Sequence, residues 1–314
     1  MTEAAVANGF AHTFDRALAL SHSGRSFLEH LYETSRVLAA WGMPASVCRA
    51  GFLHSAYATS FYPHALFDLS ERDRVRRLIG REAESLVYRF CTMDRRGYWD
   101  MLAKARPSGT LYYADRVRNG APVRISLTAV QRLLMIESAN VAEQSKAPDG
   151  GPAPWMSRLF RWWRFLDCKT LPVRLSRKPA LSRYSEEAAI GAYAEALQTR
   201  HREAARLFAL ASQRNPFAGE PRILRALCAP VASEAQRQRH LRTGAALLSA
   251  WATPWDKRLS LQAWLNIARR CENRSRHDRF ADFETIAGML TAGARPPRWL
   301  RLIATSRTSC ATRE

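Results

Sequence analysis

The fold of this chain is indicated most clearly by two neighbouring segments, FLEHLYETSRVLAAWGM (residues 27–43) and CRAGFLHSAYATSF (residues 48–61). In the first segment, apolar and small side chains recur at the spacing of one helical face; they are Phe27, Leu31, Thr34, Leu38 and Trp41. Gly42 and Pro44 follow, and both residue types commonly end a helix. The sequence predicts a helix in each segment, the second over 45–58.

Helical patterns continue on the C-terminal side of these segments, over residues 73–79, 81–93 and 127–145. They are interrupted once, where two short apolar runs flank Asn119 and Gly120. This dipeptide suits the positive backbone angles of a tight turn. A small β-hairpin is therefore expected around it.

The second half of the chain also has helical periodicity. Residues 185–216 have the pattern of a helical hairpin, and three further helices are expected, over 235–251, 257–271 and 278–291. The second helix of the hairpin resembles the second half of a tetratricopeptide repeat, on the residues Ala204, Phe208, Ala211 and Pro216. The first half of the repeat matches poorly, because Glu195 stands where an aromatic residue is usual, and no clear second repeat follows.

Pro and Gly cluster at KAPDGGPAP (residues 146–154), where helical periodicity stops, so a domain boundary is expected there. The sequence thus predicts an all-α protein with one small β-hairpin insertion. Its four parts are an N-terminal extension (1–20), a helical domain (21–146), a linker (147–183) and a second, tetratricopeptide-like helical domain (184–314).

The predicted linker contains a strongly amphipathic helix, WMSRLFRWWRFL (residues 155–166). Three Trp residues share one face with Leu159 and Leu166, and Arg158, Arg161 and Arg164 lie on the other. Such a helix can rest on an anionic membrane, with Trp at the depth of the headgroups. It can also be a connector that packs its Trp face against a neighbouring domain. For a helix inside a two-domain chain, the connector is the favoured interpretation.

Composition excludes several classes of protein. No apolar run approaches the roughly 20 residues that span a bilayer, and no secretory leader is recognisable, so a cytoplasmic location is expected. The six cysteines form no Cys-x-x-Cys pair. The net charge is +20, of which residues 1–150 carry +4 and residues 151–314 carry +16. Because nearly all of this excess is Arg in an Ala-rich chain, compositional bias explains it as well as a nucleic-acid surface does, and a nucleic-acid partner is not expected.

Two histidines, His30 and His54, lie in the two segments quoted first. Three motifs accompany them in order: His54-Ser55-Ala56-Tyr57-Ala58-Thr59, Ile79-Gly80-Arg81-Glu82-Ala83-Glu84 and Ala139-Asn140-Val141-Ala142-Glu143-Gln144. These are similar to the His-Ser-x-Tyr-Gly-Thr, Ile-Gly-x-x-Ala-Glu and Ala-Asn-x-x-Glu-Gln patterns of an HD-like family. Residues 21–146 thereby resemble the HD superfamily of metal-dependent phosphohydrolases, which includes the (p)ppGpp hydrolase.

The resemblance implies a divalent metal ion, Mn, Fe or Mg, held by His30 and His54. An HD site also uses two Asp, but here Ser55 stands in the place of the first, and a neutral hydroxyl is a poor ligand for a hard cation. On the last helix, the candidate ligands are Glu137, Asn140 and Glu143. Two His and one Glu would also suit the facial triad of an iron oxygenase. Equally, the two glutamates can be ordinary solvated helix residues.

Four further side chains are candidate catalytic residues. Tyr57 and Thr59 can line the pocket as proton donors, although capping and packing explain them equally well. Arg72, with Arg76 one turn later, can hold a substrate phosphate, although a solvated basic face is the favoured interpretation. Glu84 can orient a metal-bound His ring.

The leading functional hypothesis is an HD-like, metal-dependent hydrolase that acts on a small phosphorylated or nucleotide-like substrate. The first alternative is a non-catalytic HD-like module joined to a helical domain that binds a protein partner through residues 184–314. The second alternative is an iron-dependent oxygenase of HD type. A peripheral membrane contact through residues 155–166 remains open beside all three.

Overall fold

The structure is a computed structural model that describes residues 17–22, 25–105, 109–164, 180–229 and 233–292. These residues are mostly helical, with two short antiparallel hairpins. The all-α prediction with a small β insertion is therefore confirmed. The chain divides into two compact units, residues 1–144 with 159–179, and residues 145–158 with 180–314. The segment predicted as a linker is thus shared between the two units.

In the first unit, the main elements within the described residues are six α-helices and two hairpins. They are β1 (Ser21–His22), β2 (Arg25–Ser26), α1 (Phe27–Ala40), α2 (Ala45–Phe52), α3 (Arg72–Ile79), α4 (Arg81–Thr92), α5 (Tyr98–Ala105), β3 (Leu111–Asp115), β4 (Ala121–Ile125) and α6 (Leu127–Gln144). Asn119 and Gly120 have the positive φ angles, 54° and 80°, that the hairpin prediction requires. Helix α5 was not predicted.

Helix α1 is the central element of this unit. It begins where the Ser26 hydroxyl accepts a hydrogen bond from the amide of Glu29 (3.2 Å), which satisfies one of the free amides of the first turn. Its buried face packs on α2 and α6. The approach to α2 is close, because a Cβ added at Gly51 would lie 2.3 Å from Leu38 Cδ1. This packing places His30, on α1, beside α6 and beside the end of α2.

Helix α2 is shorter than predicted, and it ends at Phe52. Residues 53–56 form a turn, so His54 lies just after the helix. The backbone then reverses at Ala58, whose φ of +59° is unusual for a residue with a side chain. Ala58 occupies the position at which the HD-like motif has Gly. Gly adopts a positive φ angle without steric cost, so this backbone conformation suits a Gly at the position of Ala58.

We expect Ala58→Gly to raise the free energy of unfolding by about 1 kcal/mol, because Gly adopts the left-handed conformation without steric cost. Urea unfolding followed by circular dichroism measures the change. The matched control is Ala245→Gly, within a helix of the second unit, where Gly should lower the free energy of unfolding by a similar amount. A destabilised Ala58→Gly variant would contradict the prediction.

The second unit is built from successive antiparallel helices. Within its described residues they are α8 (Arg183–Ala196), α9 (His201–Arg214), α10 (Glu220–Cys228), α11 (Glu234–Trp251), α12 (Leu261–Cys271) and α13 (Arg276–Ala292). Each helix packs on the next as far as α12, and α13 packs on α10. The predicted helical hairpin is confirmed as α8 and α9, whereas α10 was not predicted.

Helix α7 (Met156–Trp163) is the amphipathic helix of the predicted linker. Its arginines are exposed, but the side chains of Trp155, Leu159, Trp162 and Trp163 are buried, and Leu166 lies outside the described residues. In the first unit, the indole of Trp162 donates to Asp100 and that of Trp163 donates to Ser138, both at 2.9 Å. The tryptophans are thus buried in the protein, and a membrane contact through residues 155–166 stays a prediction. Across the described ranges, no helix combines the length and apolarity that crossing a bilayer requires.

Helices α10 and α11 touch through their backbones. A Cβ at Gly219 would lie 2.4 Å from the Gly244 carbonyl oxygen, and a Cβ at Gly244 would lie 2.7 Å from the Gly219 carbonyl oxygen. A side chain at either position would therefore force the backbones of the two helices apart. Only glycine at both positions permits this crossing.

We expect Gly244→Ala to lower the free energy of unfolding by about 2–3 kcal/mol, the cost of overpacking a close contact. Gly191→Ala is the matched control, since Gly191 lies on the exposed side of α8 with nothing within 4 Å of its Cβ position. That control should be stabilised by about 0.5–1 kcal/mol. Thermal and urea unfolding of both variants test the pair, and equal effects at the two glycines would refute the packing explanation.

Candidate functional site

The two predicted metal ligands, His30 and His54, do come together. Their Nε2 atoms are 3.3 Å apart, and the two rings meet edge to face with centroids 5.1 Å apart. Each residue is only 1% exposed. The site is therefore a pair of imidazoles deep in the first unit, brought together by the packing of α1 against the end of α2.

The outer nitrogen of each ring faces an acceptor. His30 Nδ1 lies 2.5 Å from Glu143 Oε2, and His54 Nδ1 lies 2.7 Å from the carbonyl oxygen of Gly51. The carbonyl oxygen of Gly51 can only accept, so His54 Nδ1 is the donor of that bond. The two Nε2 atoms lie at hydrogen-bond distance from each other, and a bond between them needs one proton.

The distance between the imidazoles is also compatible with a metal ion. Two nitrogens bound to one ion at about 2.1 Å each would lie roughly 3–3.4 Å apart. Further ligands are not found in the described part of the chain, however. Glu143 contacts the outer nitrogen of His30. A carboxylate in that position orients a metal-binding histidine and does not itself bind the ion. Among the described residues, no group of three or more His, Cys, Asp or Glu is arranged to hold a metal ion. The side chains present therefore do not fit the ligand set that the resemblance implies.

Glu137 and Asn140, two of the other predicted ligands, belong to a separate cluster. Glu137 accepts a hydrogen bond from Arg95 Nη1, and the Asn140 amide donates to the same carboxylate at 3.3 Å. The Arg95 guanidinium stacks on Phe90, whose ring meets His54 edge to face at 5.3 Å. Arg95 was not singled out from the sequence, because nothing in its local pattern distinguishes it from a loop arginine. Its charge neutralises Glu137 in the interior.

Glu84 has partners other than those predicted. It is fully buried, and its two carboxylate oxygens accept from Arg72 Nε (2.6 Å), Arg76 Nε (2.9 Å) and the Tyr57 hydroxyl (3.3 Å). Within the described residues, Glu84 contacts two arginines and a tyrosine, whereas Glu143 contacts the His30 ring. Arg72 and Arg76 both form ion pairs with Glu84, and a phosphate-binding role for Arg72 stays a prediction.

The two predicted proton donors, Tyr57 and Thr59, form hydrogen bonds within the protein. Burial, followed by the nearby charge of Glu84, raises the pKa of Tyr57 well above its ordinary value, so this phenol holds its proton at neutral pH. Thr59 Oγ1 accepts hydrogen bonds from the amides of Phe61 (3.2 Å) and Tyr62 (3.0 Å), and so it caps the turn after His54.

Arg116, also missed from the sequence, fixes the backbone of the same turn. Its guanidinium donates to the carbonyl oxygens of Cys91 (2.7 Å), Tyr57 (3.2 Å) and Ala58 (3.0 Å). These bonds join the loop after β3 to the turn that carries His54. They hold Ala58 in its unusual conformation.

Comparison with known proteins assigns no activity. A family described as "Domain of unknown function (DUF6817)" matches residues 14–95. The match includes His30, His54 and Glu84, and it ends before the carboxylates of α6. No curated protein and no solved structure matches the chain.

Proposed function

We propose that the first unit is a non-catalytic, HD-like module whose buried polar clusters stabilise the fold, joined to a helical unit that binds a partner. The observation that carries this proposal is that each buried candidate carboxylate is already paired within the protein. Glu143 pairs with His30, Glu137 with Arg95, and Glu84 with Arg72 and Arg76. Paired carboxylates are not free to bind a metal ion or to transfer protons.

Electrostatics favour a proton over a metal ion at the histidine pair. A divalent ion brings two positive charges into a buried site and a proton brings one, and burying an uncompensated charge costs several kcal/mol. The burial of both imidazoles also removes the contact with substrate that general acid or base catalysis requires.

The partner-binding half of the proposal rests on the second unit. Ala204, Phe208 and Ala211 are fully buried where α8 packs on α9, in keeping with their likeness to a tetratricopeptide hairpin. Helical hairpins of this kind commonly present an extended surface to another protein. The proposal places the protein in the cytoplasm, as expected from the sequence.

The test is metal analysis of the untagged, full-length protein, together with its thermal unfolding before and after chelation. We expect far less than one metal ion per chain and an unfolding temperature that the chelator leaves unchanged. The comparison variant is the double replacement His30→Ala and His54→Ala. A stoichiometric metal ion that this variant loses would overturn the proposal.

The second candidate function is the HD-like, metal-dependent hydrolase, and the 3.3 Å distance between the two Nε2 atoms is the observation that favours it. His30 and His54 would hold the ion, and a small phosphorylated substrate would provide further oxygen ligands. Reconstitution with Mn, Fe or Mg and a screen of phosphate esters distinguish this candidate. The iron-oxygenase hypothesis needs a Glu on the ion, and it is not proposed because Glu143 and Glu137 have other partners.

A further inference from the structure

Helices α10 and α11 carry a cluster of four basic side chains, Arg222, Arg225, Arg239 and His240. Arg222 and Arg225 are one helical turn apart on α10 and are half-buried. The two helices touch at Gly219 and Gly244, and the chain connects their other ends between residues 228 and 234. This register places residues 222–225 opposite the part of α11 that includes His240.

Among the residues that the structure describes, the four side chains of this α10–α11 basic cluster have no acidic partner. Within the described ranges none of them forms an ion pair, and Arg222 Nε is buried without a hydrogen-bond partner. Other arginines of the unit are paired: Arg237 with Glu234, Arg206 with Glu203, and Arg274 with Asp282. Exposed arginines such as Arg202 and Arg214 also form no ion pair within the described residues, but Arg222 and Arg225 differ from them because they are half-buried.

The cationic groups are close enough to act on one another. Burial lowers the pKa of His240, and the positive charges of Arg225, Arg222 and Arg239 lower it further. Burial and the charge of Arg225 likewise lower the pKa of Arg222. Their mutual repulsion is an unfavourable interaction that a bound anion would remove.

We propose that the α10–α11 basic cluster binds the phosphate group of a small soluble ligand. Guanidinium groups present paired donors that match the oxygens of a phosphate, and partial burial strengthens the attraction relative to an exposed site. The cluster is compact, with two neighbouring arginines on one helix and the others on the facing helix, which suits a single phosphate group. This site lies in the second unit and is independent of the histidine pair.

The experiment is isothermal titration calorimetry of the full-length protein with inorganic phosphate and with glycerol phosphate, at an ionic strength held constant with chloride. We expect saturable binding of at least one of the two probes. Stronger binding of glycerol phosphate would identify an ester as the ligand, and stronger binding of inorganic phosphate would identify the free ion. Both results support the site.

The decisive variant is Arg222→Gln with Arg225→Gln, which should weaken binding at least about tenfold because two charge-assisted contacts are lost. The variant removes mutual repulsion, so its unfolding temperature should not fall, and this is measured in parallel. The control is Arg183→Gln with Arg206→Gln, which removes the same charge from exposed, paired arginines of α8 and α9 and should retain binding. The proposal is overturned if wild-type protein binds neither probe, or if the two variants lose binding equally.

Discussion

Replacing Glu143 by Leu is expected to lower the free energy of unfolding by about 3–5 kcal/mol, and replacing His30 by Leu as well should recover much of that loss. The first change leaves a buried imidazole without its acceptor. The second change alone leaves a buried carboxylate without its donor, at a similar cost. In the double variant neither partner of the His30–Glu143 contact remains, and Leu approximates the volume of both side chains. The part of the loss that is not recovered reflects His54 Nε2, which loses its neighbour His30.

A double-mutant cycle measures this coupling, with the free energy of unfolding taken from urea titrations of the four proteins. The control cycle uses Arg206→Leu and Glu203→Leu, an exposed pair on α9, for which the coupling should be below about 1 kcal/mol. Additive losses at His30 and Glu143 would mean that the 2.5 Å contact contributes nothing to stability, and the structural role proposed for the cluster would then be wrong.

Periodicity predicted α1 well because its signals are local. The apolar face and the Gly42 stop lie within the helix or next to it, and the Ser26 cap that the structure adds is also adjacent. Helix α2 was predicted six residues too long, because residues 53–58 have side chains that a helix accepts. The turn there depends on Arg116, which is remote in sequence and donates to Tyr57 and Ala58. Local pattern carries no information on such a contact.

The sequence identified the buried carboxylates but not their partners. Glu137 and Glu143 were both expected to bind one metal ion, yet six residues correspond to about 600° of helical rotation, which leaves the two side chains roughly 120° apart. Helix α6 is buried on nearly every side from Leu133 to Glu143, so each carboxylate meets a different neighbour. Glu143 meets His30 and Glu137 meets Arg95. Which neighbour each one meets is decided by tertiary packing.

Glu220, on α10, is a buried acid whose protonation should affect stability. Its Oε1 atom accepts hydrogen bonds from the amides of Trp255 (2.6 Å) and Asp256 (3.1 Å), whereas Oε2 is buried without a partner. Burial, with a smaller contribution from the charge of Asp256, raises the pKa of Glu220 from 4.5 to about 7. The Arg258 guanidinium and the Tyr193 hydroxyl both donate to Asp256. The positive charge of Arg258 is therefore already paired with Asp256.

The raised pKa fixes the direction of the pH dependence. Between pH 4.5 and pH 7 the folded protein holds the proton of Glu220 and the unfolded chain does not. This contribution to stability is therefore complete below about pH 4.5 and is lost as the pH rises through 7. The full loss is about 3 kcal/mol, since one pKa unit corresponds to about 1.4 kcal/mol.

We expect Glu220→Gln to be more stable than wild type at pH 8 by about 2–3 kcal/mol, with the difference shrinking toward zero near pH 5. Glutamine keeps the oxygen that accepts from Trp255 and Asp256, and it never ionises. Urea unfolding of both proteins at pH 5, 6, 7 and 8 gives this difference, in which the titration of all other groups cancels. Glu203→Gln, at an exposed site of α9, is the control and should show no comparable change. Because the prediction depends only on the proton of Glu220, a difference between Glu220→Gln and wild type that stays constant with pH would refute it.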